Sequence, residues 1–168
     1  MDMEKVKIKL NGGIMPTKGS EYAAAYDLYV PDIVELKYGR QVIDLKFSME
    51  LPHGYAAVIQ PRSGFTCKGM QAFLTIRKWW YMLLGVFSKE ARIDADVIVG
   101  LVDEDYRDSV GALVISRFRP ILRKAIIPRG TRIAQMRIVQ VPDTAVMEAE
   151  ELDMSKNRGG GYGHTGSK

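Results

Sequence analysis

Apolar residues recur in this chain at every second position, in runs too short for helices and punctuated by proline and glycine. Val6, Ile8 and Leu10 open the pattern, Val42 to Leu51 and Tyr55 to Ile59 continue it, and it returns at Val110 to Ile115, Ala125 to Ile127 and Ile133 to Val141. A period of two gives each strand one apolar face, and many short strands must hide both that face and their edges. The pattern predicts an all-β chain closed into a barrel or a double-sheet jelly roll. At 168 residues with 46% hydrophobic content the chain supports one real core, and no internal repeat divides it.

Charge and cysteine usage narrow the function class. The 24 basic and 20 acidic side chains leave a net charge of +4, which suits an anionic small molecule but lacks the Lys/Arg blocks of a nucleic-acid binder. Cys67 is the sole cysteine, so no intrachain disulfide can form and an intracellular setting is expected. The N-terminus MDMEKVKIKL alternates charged and apolar residues and reads as a first strand rather than a secretory signal. His53, His164 and Cys67 do not make a zinc cluster, and neither histidine has a triad-like context. Any general base is expected to be a carboxylate.

One segment departs from the strand pattern. Lys68 to Arg92 holds both tryptophans and a hydrophobic run from Trp79 to Phe87 interrupted at Gly85. It is too short to span a bilayer. It reads either as an extra core-packing helix or hairpin, or as an exposed element for a partner or a membrane surface.

Three polar stretches carry candidate chemistry. PRSG at Pro61 to Gly64 follows an apolar strand and brings an arginine, a hydroxyl and a glycine N–H to one strand end, a phosphate-binding combination. GLVDEDYR at Gly100 to Arg107 reads either as a plain turn interrupting a hydrophobic strand or as an extended segment with Asp103 and Asp105 on one face and Tyr106 on the other, where an ionised aspartate can take a proton from water or support a metal's shell. The last twelve residues, NRGGGYGHTGSK, cannot bury enough apolar area to offset their ordering entropy. Their GxGxxG has neither the preceding strand nor the following helix of a dinucleotide fingerprint, so phosphate cradling by flexible backbone N–H groups is what remains.

Taken in order, these pieces resemble the trimeric dUTPase family, with AAAYDLYV at Ala23 to Val30 and RGTRIAQM at Arg129 to Met136 completing a set of five motifs spread over almost the whole chain. The resemblance implies a β jelly roll (β-clip) spanning residues 1–156, with a family-atypical insertion at 68–92 and a flexible arm at 157–168. It implies Mg²⁺-assisted hydrolysis of dUTP to dUMP and pyrophosphate in a homotrimer whose active sites are shared between subunits. By carry-over, Asp103 is the general base and Tyr106 packs on the deoxyribose. Arg62, Ser63 and Gly64 hold phosphates, Gln135 contacts the α-phosphate side, and Asp27 supports Mg²⁺ through water. Arg158 clamps the γ-phosphate, Tyr162 stacks on uracil, and Gly163, His164 and Thr165 complete the closing arm. The chain departs from the family at Ala25 and Asp108, where glycine is usual, and in an arm one residue short. A uracil-binding hairpin is expected just before Asp103, and a protein partner is conceivable at 68–92. A dCTP deaminase-like enzyme and an inactive homologue kept as a binding protein are the competing readings.

Overall fold

A computed structural model describes residues 4–157. Its strands are β1 (Lys7–Leu10), β2 (Thr17–Lys18), β3 (Tyr26–Tyr29), β4 (Val34–Leu36), β5 (Gly39–Asp44), β6 (Phe47–Glu50) and β7 (Tyr55–Gln60). A short helix, α1 (Ser63–Lys68), then leads into β8 (Met70–Ile76), β9 (Lys89–Ile93), β10 (Ala95–Val97), β11 (Gly100–Val102), β12 (Gly111–Ser116), β13 (Arg123–Ile127) and β14 (Arg132–Gln140). The all-β expectation holds, and the strands pair antiparallel in four sheets. The five-stranded sheet, in the order β11-β7-β14-β3-β2, carries most of the candidate site.

The alternating runs bury one face as predicted. In β12 the pattern alternates strictly, with Ala112, Val114 and Ser116 inward. Phe47, Leu28, Leu36, Leu45, Ile127 and Ile133 fill the common core between the sheets. The apolar run from Val42 to Leu51 is not one strand, however. Lys46 sits at φ 54°, a left-handed conformation held because the Asp44 carboxylate accepts the Lys46 N–H at 2.9 Å. The chain turns there, so β5 joins the sheet of β12 while β6 pairs with β1. Alternation alone cannot show such a break, because Leu45 and Phe47 are both buried on either side of it.

The segment at 68–92 resolves into two parts. Its stem is core: β8 is an interior strand between β13 and β9, with Met70, Ala72 and Leu74 buried. Its tip, a 3-10 turn at Trp79–Leu84, buries none of its side chains. The stem is thus core-packing strand and the tip an exposed element.

The helix α1 was not anticipated. It ends at Gly69, whose φ of 76° suits glycine, and whose N–H donates to Phe65 O at 2.8 Å. A Cβ there would stand 2.7 Å from the Ile93 carbonyl oxygen. Gly69→Ala is expected to destabilise the protein by about 2 kcal/mol, read as a lower urea midpoint with an unchanged slope.

After β14 the chain leaves the packed body. Residues 142–157 are exposed wherever burial is described, and Val146, Met147, Leu152 and Met154 present apolar side chains to solvent.

Candidate active site

The register of the five-stranded sheet builds a polar row. Thr17 lies opposite Asp27, Asp27 opposite Gln135, and Gln135 opposite Gln60. Residues directly opposite in antiparallel strands share a face, so Asp27 and Gln135 are presented together by β3 and β14. Just past β7, Arg62 turns back onto this row: its Nε donates to Asp27 Oδ1 at 2.7 Å. Arg132 Nη1 donates to Asp27 Oδ2 at 3.3 Å. Asp27 is only 8% exposed, and two guanidinium groups compensate its buried charge.

Arg132 was not singled out by sequence reasoning, and the reason is geometric. Three residues from Gln135, it would face the opposite side of an unbroken strand. A register shift between Arg132 and Ala134 pairs Arg132 with Tyr29, and this bulge returns its side chain to the Asp27 face. The motif string Arg129 to Met136 contained the residue, but period-two parity pointed it away.

A cavity of about 300 Å³ is lined by Ala23, Ala25, Asp27, Arg62, Ser63, Gly64, Arg132 and Gln135, among others. Ser63 and Gly64 open α1, so their amide N–H groups have no acceptor within the helix. The cavity thus combines two arginines, a hydroxyl, a carboxamide and outward N–H groups, a donor-rich set suited to phosphate oxygens. A larger cavity of about 550 Å³ lies on the other side of Arg62 and Arg132; Asp27, Ser63 and Gln135 line the smaller one alone of the two.

Asp103 and Tyr106 stand elsewhere. They line a separate cavity of about 560 Å³ with Leu101, Asp108 and Ser109. Of the extended and turn readings, the turn is the one found: Tyr106 N–H donates to Asp103 O at 3.2 Å, and Tyr106 Oη donates to Ser109 O at 3.1 Å. Antiparallel pairing of β11 with β7 sets Val102 opposite Ala57, so Asp103 emerges at the N-terminal end of β7, whereas Arg62 follows its C-terminal end. Six residues of extended chain separate the two levels, about 20 Å. Within one chain, the Asp103 carboxylate and the Arg62–Asp27 cluster are therefore not brought together. Nor does the stretch before Asp103 form a laddered hairpin. β10 pairs with β12 and β11 with β7, so the two strands splay into different sheets beyond Ile98 and Val99.

Glu104 is a residue that sequence reading passed over. Its Oε2 accepts the Gly54 N–H at 2.8 Å and its Oε1 lies 3.1 Å from His53 Nδ1, tying the Asp103 turn to the turn before β7. The Gly54 N–H, then the His53 contact, hold its carboxyl below the ordinary value of 4.5. A depressed folded-state pKa stabilises the folded form above that ordinary value, and the contribution is lost as pH falls through the lowered one. Hydrogen-exchange protection in residues 103–109, taken relative to the intrinsic exchange rate at each pH, is expected to fall below about pH 4.5, and Glu104→Gln should flatten that dependence.

Arg158, Tyr162, Gly163, His164 and Thr165 lie outside the described residues. Among the described residues, no group of three or more His, Cys, Asp or Glu side chains could cage a metal ion, and both oxygens of Asp27 accept from arginine. A hard cation here would take its ligands from phosphate oxygens and waters rather than from a protein cage.

Known proteins resemble this chain in sequence and in fold. The dUTPase family model matches residues 11–87. The deoxyuridine 5'-triphosphate nucleotidohydrolase of Paramecium bursaria Chlorella virus 1 is 33% identical over 164 residues, covering 96% of each chain. That of Candida glabrata is 33% identical over 165 residues, covering 96% of this chain and 95% of the relative. Among solved structures, Staphylococcus bacteriophage 80alpha dUTPase with dUPNHPP aligns over 98% of this chain and 100% of its own, with a TM-score of 0.76 and 20% identity. A variant dUTPase from phage phi11 of S. aureus, described with a structural Mg(II) ion, aligns over 88% of this chain and 97% of its own, with a TM-score of 0.67 and 17% identity. These last two are likenesses of fold.

Proposed function

The chain belongs to the dUTPase family, and from that premise we propose that it hydrolyses dUTP to dUMP and pyrophosphate. The observation that carries the proposal is the cluster of Arg62 and Arg132 on Asp27, beside Ser63, Gly64 and Gln135 in one cavity. Arg62, Ser63 and Gly64 hold the triphosphate, Gln135 meets its α-phosphate, and Asp27 keeps both arginines oriented. Asp103 accepts a proton from the water that attacks the α-phosphorus. The bridging α–β P–O bond breaks and its electron pair leaves with pyrophosphate. Magnesium, when bound on the triphosphate, neutralises its charge. Tyr106 packs against the deoxyribose, and the arm, through Arg158 and Tyr162, closes over the γ-phosphate and the base with Gly163, His164 and Thr165, excluding water.

The roughly 20 Å between the Asp103 turn and Arg62 supports a site shared between copies: a homotrimer in which motif three reaches a neighbour's phosphate cluster. The apolar side chains exposed at Val146, Met147, Leu152 and Met154 support an arm that crosses to another subunit. An intracellular setting fits the single free thiol, Cys67.

The test is a turnover panel of dUTP, dCTP, dTTP and UTP with and without Mg²⁺. Pyrophosphate release from dUTP, with the other three nucleotides slower by about a hundredfold or more, is the expected outcome. Ammonia from dCTP would establish a deaminase instead, and dUTP binding without turnover an inactive homologue.

A further inference from the structure

The connection between β8 and β9 ends in an apolar tip. None of the side chains of Trp79–Leu84 is buried; Trp79 is 75% exposed, Leu83 80% and Phe87 58%. Val86, at 8% exposed, is the inward peg that seats the turn. Side chains on successive sides of a single 3-10 turn point around its axis, so one flat protein surface would cover some and leave others wet. A lipid headgroup layer surrounds them all.

Charge selects among such layers. From Arg77 to Lys89 there is no carboxylate, while Arg77, Lys78 and Lys89 flank the apolar run. The neighbouring loop at 117–123, RFRPILR, also lacks a carboxylate and exposes Ile121. Three hydrogen bonds join the two loops: Arg77 N–H to Leu122 O at 3.0 Å, Arg77 Nη1 to Pro120 O at 2.7 Å and Arg123 Nε to Phe87 O at 2.9 Å. These bonds fix the tip's orientation and engage neutral carbonyl oxygens, so among the described residues no carboxylate compensates the charge of either arginine. Arg117 is the exception on this face, paired with Asp94 at 2.9 Å.

We propose that this tip docks the protein on an anionic lipid surface. Trp79, Leu83 and Leu84 enter the boundary between headgroups and acyl chains, and Arg77, Lys78, Lys89 and Arg123 meet the anionic headgroups. The contact is with the surface, since no helix among the described residues is long and apolar enough to cross a membrane. None of these residues lines the cavities that hold Asp27 or Asp103, so docking leaves the phosphate site open.

Trp79 and Trp80 are the chain's two tryptophans, so intrinsic fluorescence reports on the tip directly. The full chain is mixed with vesicles of phosphatidylcholine alone, or of phosphatidylcholine with phosphatidylserine, and followed by flotation and tryptophan emission. Flotation and a blue-shifted emission with the phosphatidylserine vesicles are expected, with binding to neutral vesicles weaker by about tenfold or more. The double variant Trp79→Ser/Leu83→Ser should lose on the order of tenfold or more in partitioning, with dUTP turnover and melting temperature unchanged. Absence of flotation with anionic vesicles, or flotation equal in the double variant, overturns the proposal. So does vesicle-free self-association through the tip, seen as a mass that rises with concentration in the parent and not in the variant; that result identifies a second copy as the occupant. Binding to soluble poly-glutamate as tight as to anionic vesicles, with the same sensitivity to the double variant, would assign an acidic protein partner instead.

Discussion

Asp103→Asn is expected to keep nucleotide affinity and lose turnover by about a hundredfold to ten-thousandfold, because an amide cannot accept the attacking water's proton. The substitution is nearly isosteric, and the side chain is exposed at the end of β11, so folding should be untouched. Measuring the dUTP dissociation constant beside kcat separates the two effects. Loss of kcat at constant affinity supports the base assignment, whereas unchanged kcat removes Asp103 from the chemistry.

Truncation after Asn157 should lower kcat by about a hundredfold or more, the usual cost of losing a preorganised cationic clamp on developing phosphate charge. Melting temperature and oligomer mass should stay put, because the hydrophobic core lies wholly within the retained residues, Leu28 to Met136. The two variants also test the shared site together. If the base and the arm reach one site from different copies, mixing inactive Asp103→Asn with inactive truncated chains, then refolding them together, should restore about a quarter of the sites. Copies that each supply both groups to their own site would recover nothing. A monomeric truncated product would show that residues 158–168 hold the assembly together, which the proposed mechanism does not require.

The site was legible in the sequence to different depths. Asp27, Arg62, Ser63, Gly64 and Gln135 were marked by motif strings, and the sheet register brings them to one cavity. Their relation to one another was not legible. That Asp27 is a buried clamp for two arginines depends on the bulge before Ala134, and no local pattern announces a bulge whose flanking residues are all acceptable in a strand. At Asp103 the sequence left an extended segment and a plain turn both open, because Asp103 and Asp105 alternate like strand residues inside a polar stretch. What decides the turn is a distant contact, Glu104 on Gly54. Likewise α1, six residues long, is too short for a 3.6-residue period to declare itself.

The aromatic segment shows the same division. Its hydrophobicity was plain, but a run of apolar residues carries no address. Met70 and Leu74 became core because β8 enters a sheet between β13 and β9, while Trp79 and Leu83 stayed outside because they lie in the connection beyond the last paired rung of β8 and β9, Leu74 opposite Lys89.

Composition and periodicity by themselves determined that this chain is all-β; they also made a carboxylate the expected base and marked Arg62, Ser63 and Gly64 as candidates to meet a phosphate. These are local properties: a period of two, a residue's pKa, a donor count. The tertiary structure alone decided that the phosphate cluster and Asp103 stand at opposite ends of β7. That separation follows from antiparallel pairing between strands far apart in sequence. It is why one chain, with every motif present, holds the Arg62 cluster and the Asp103 turn in separate cavities.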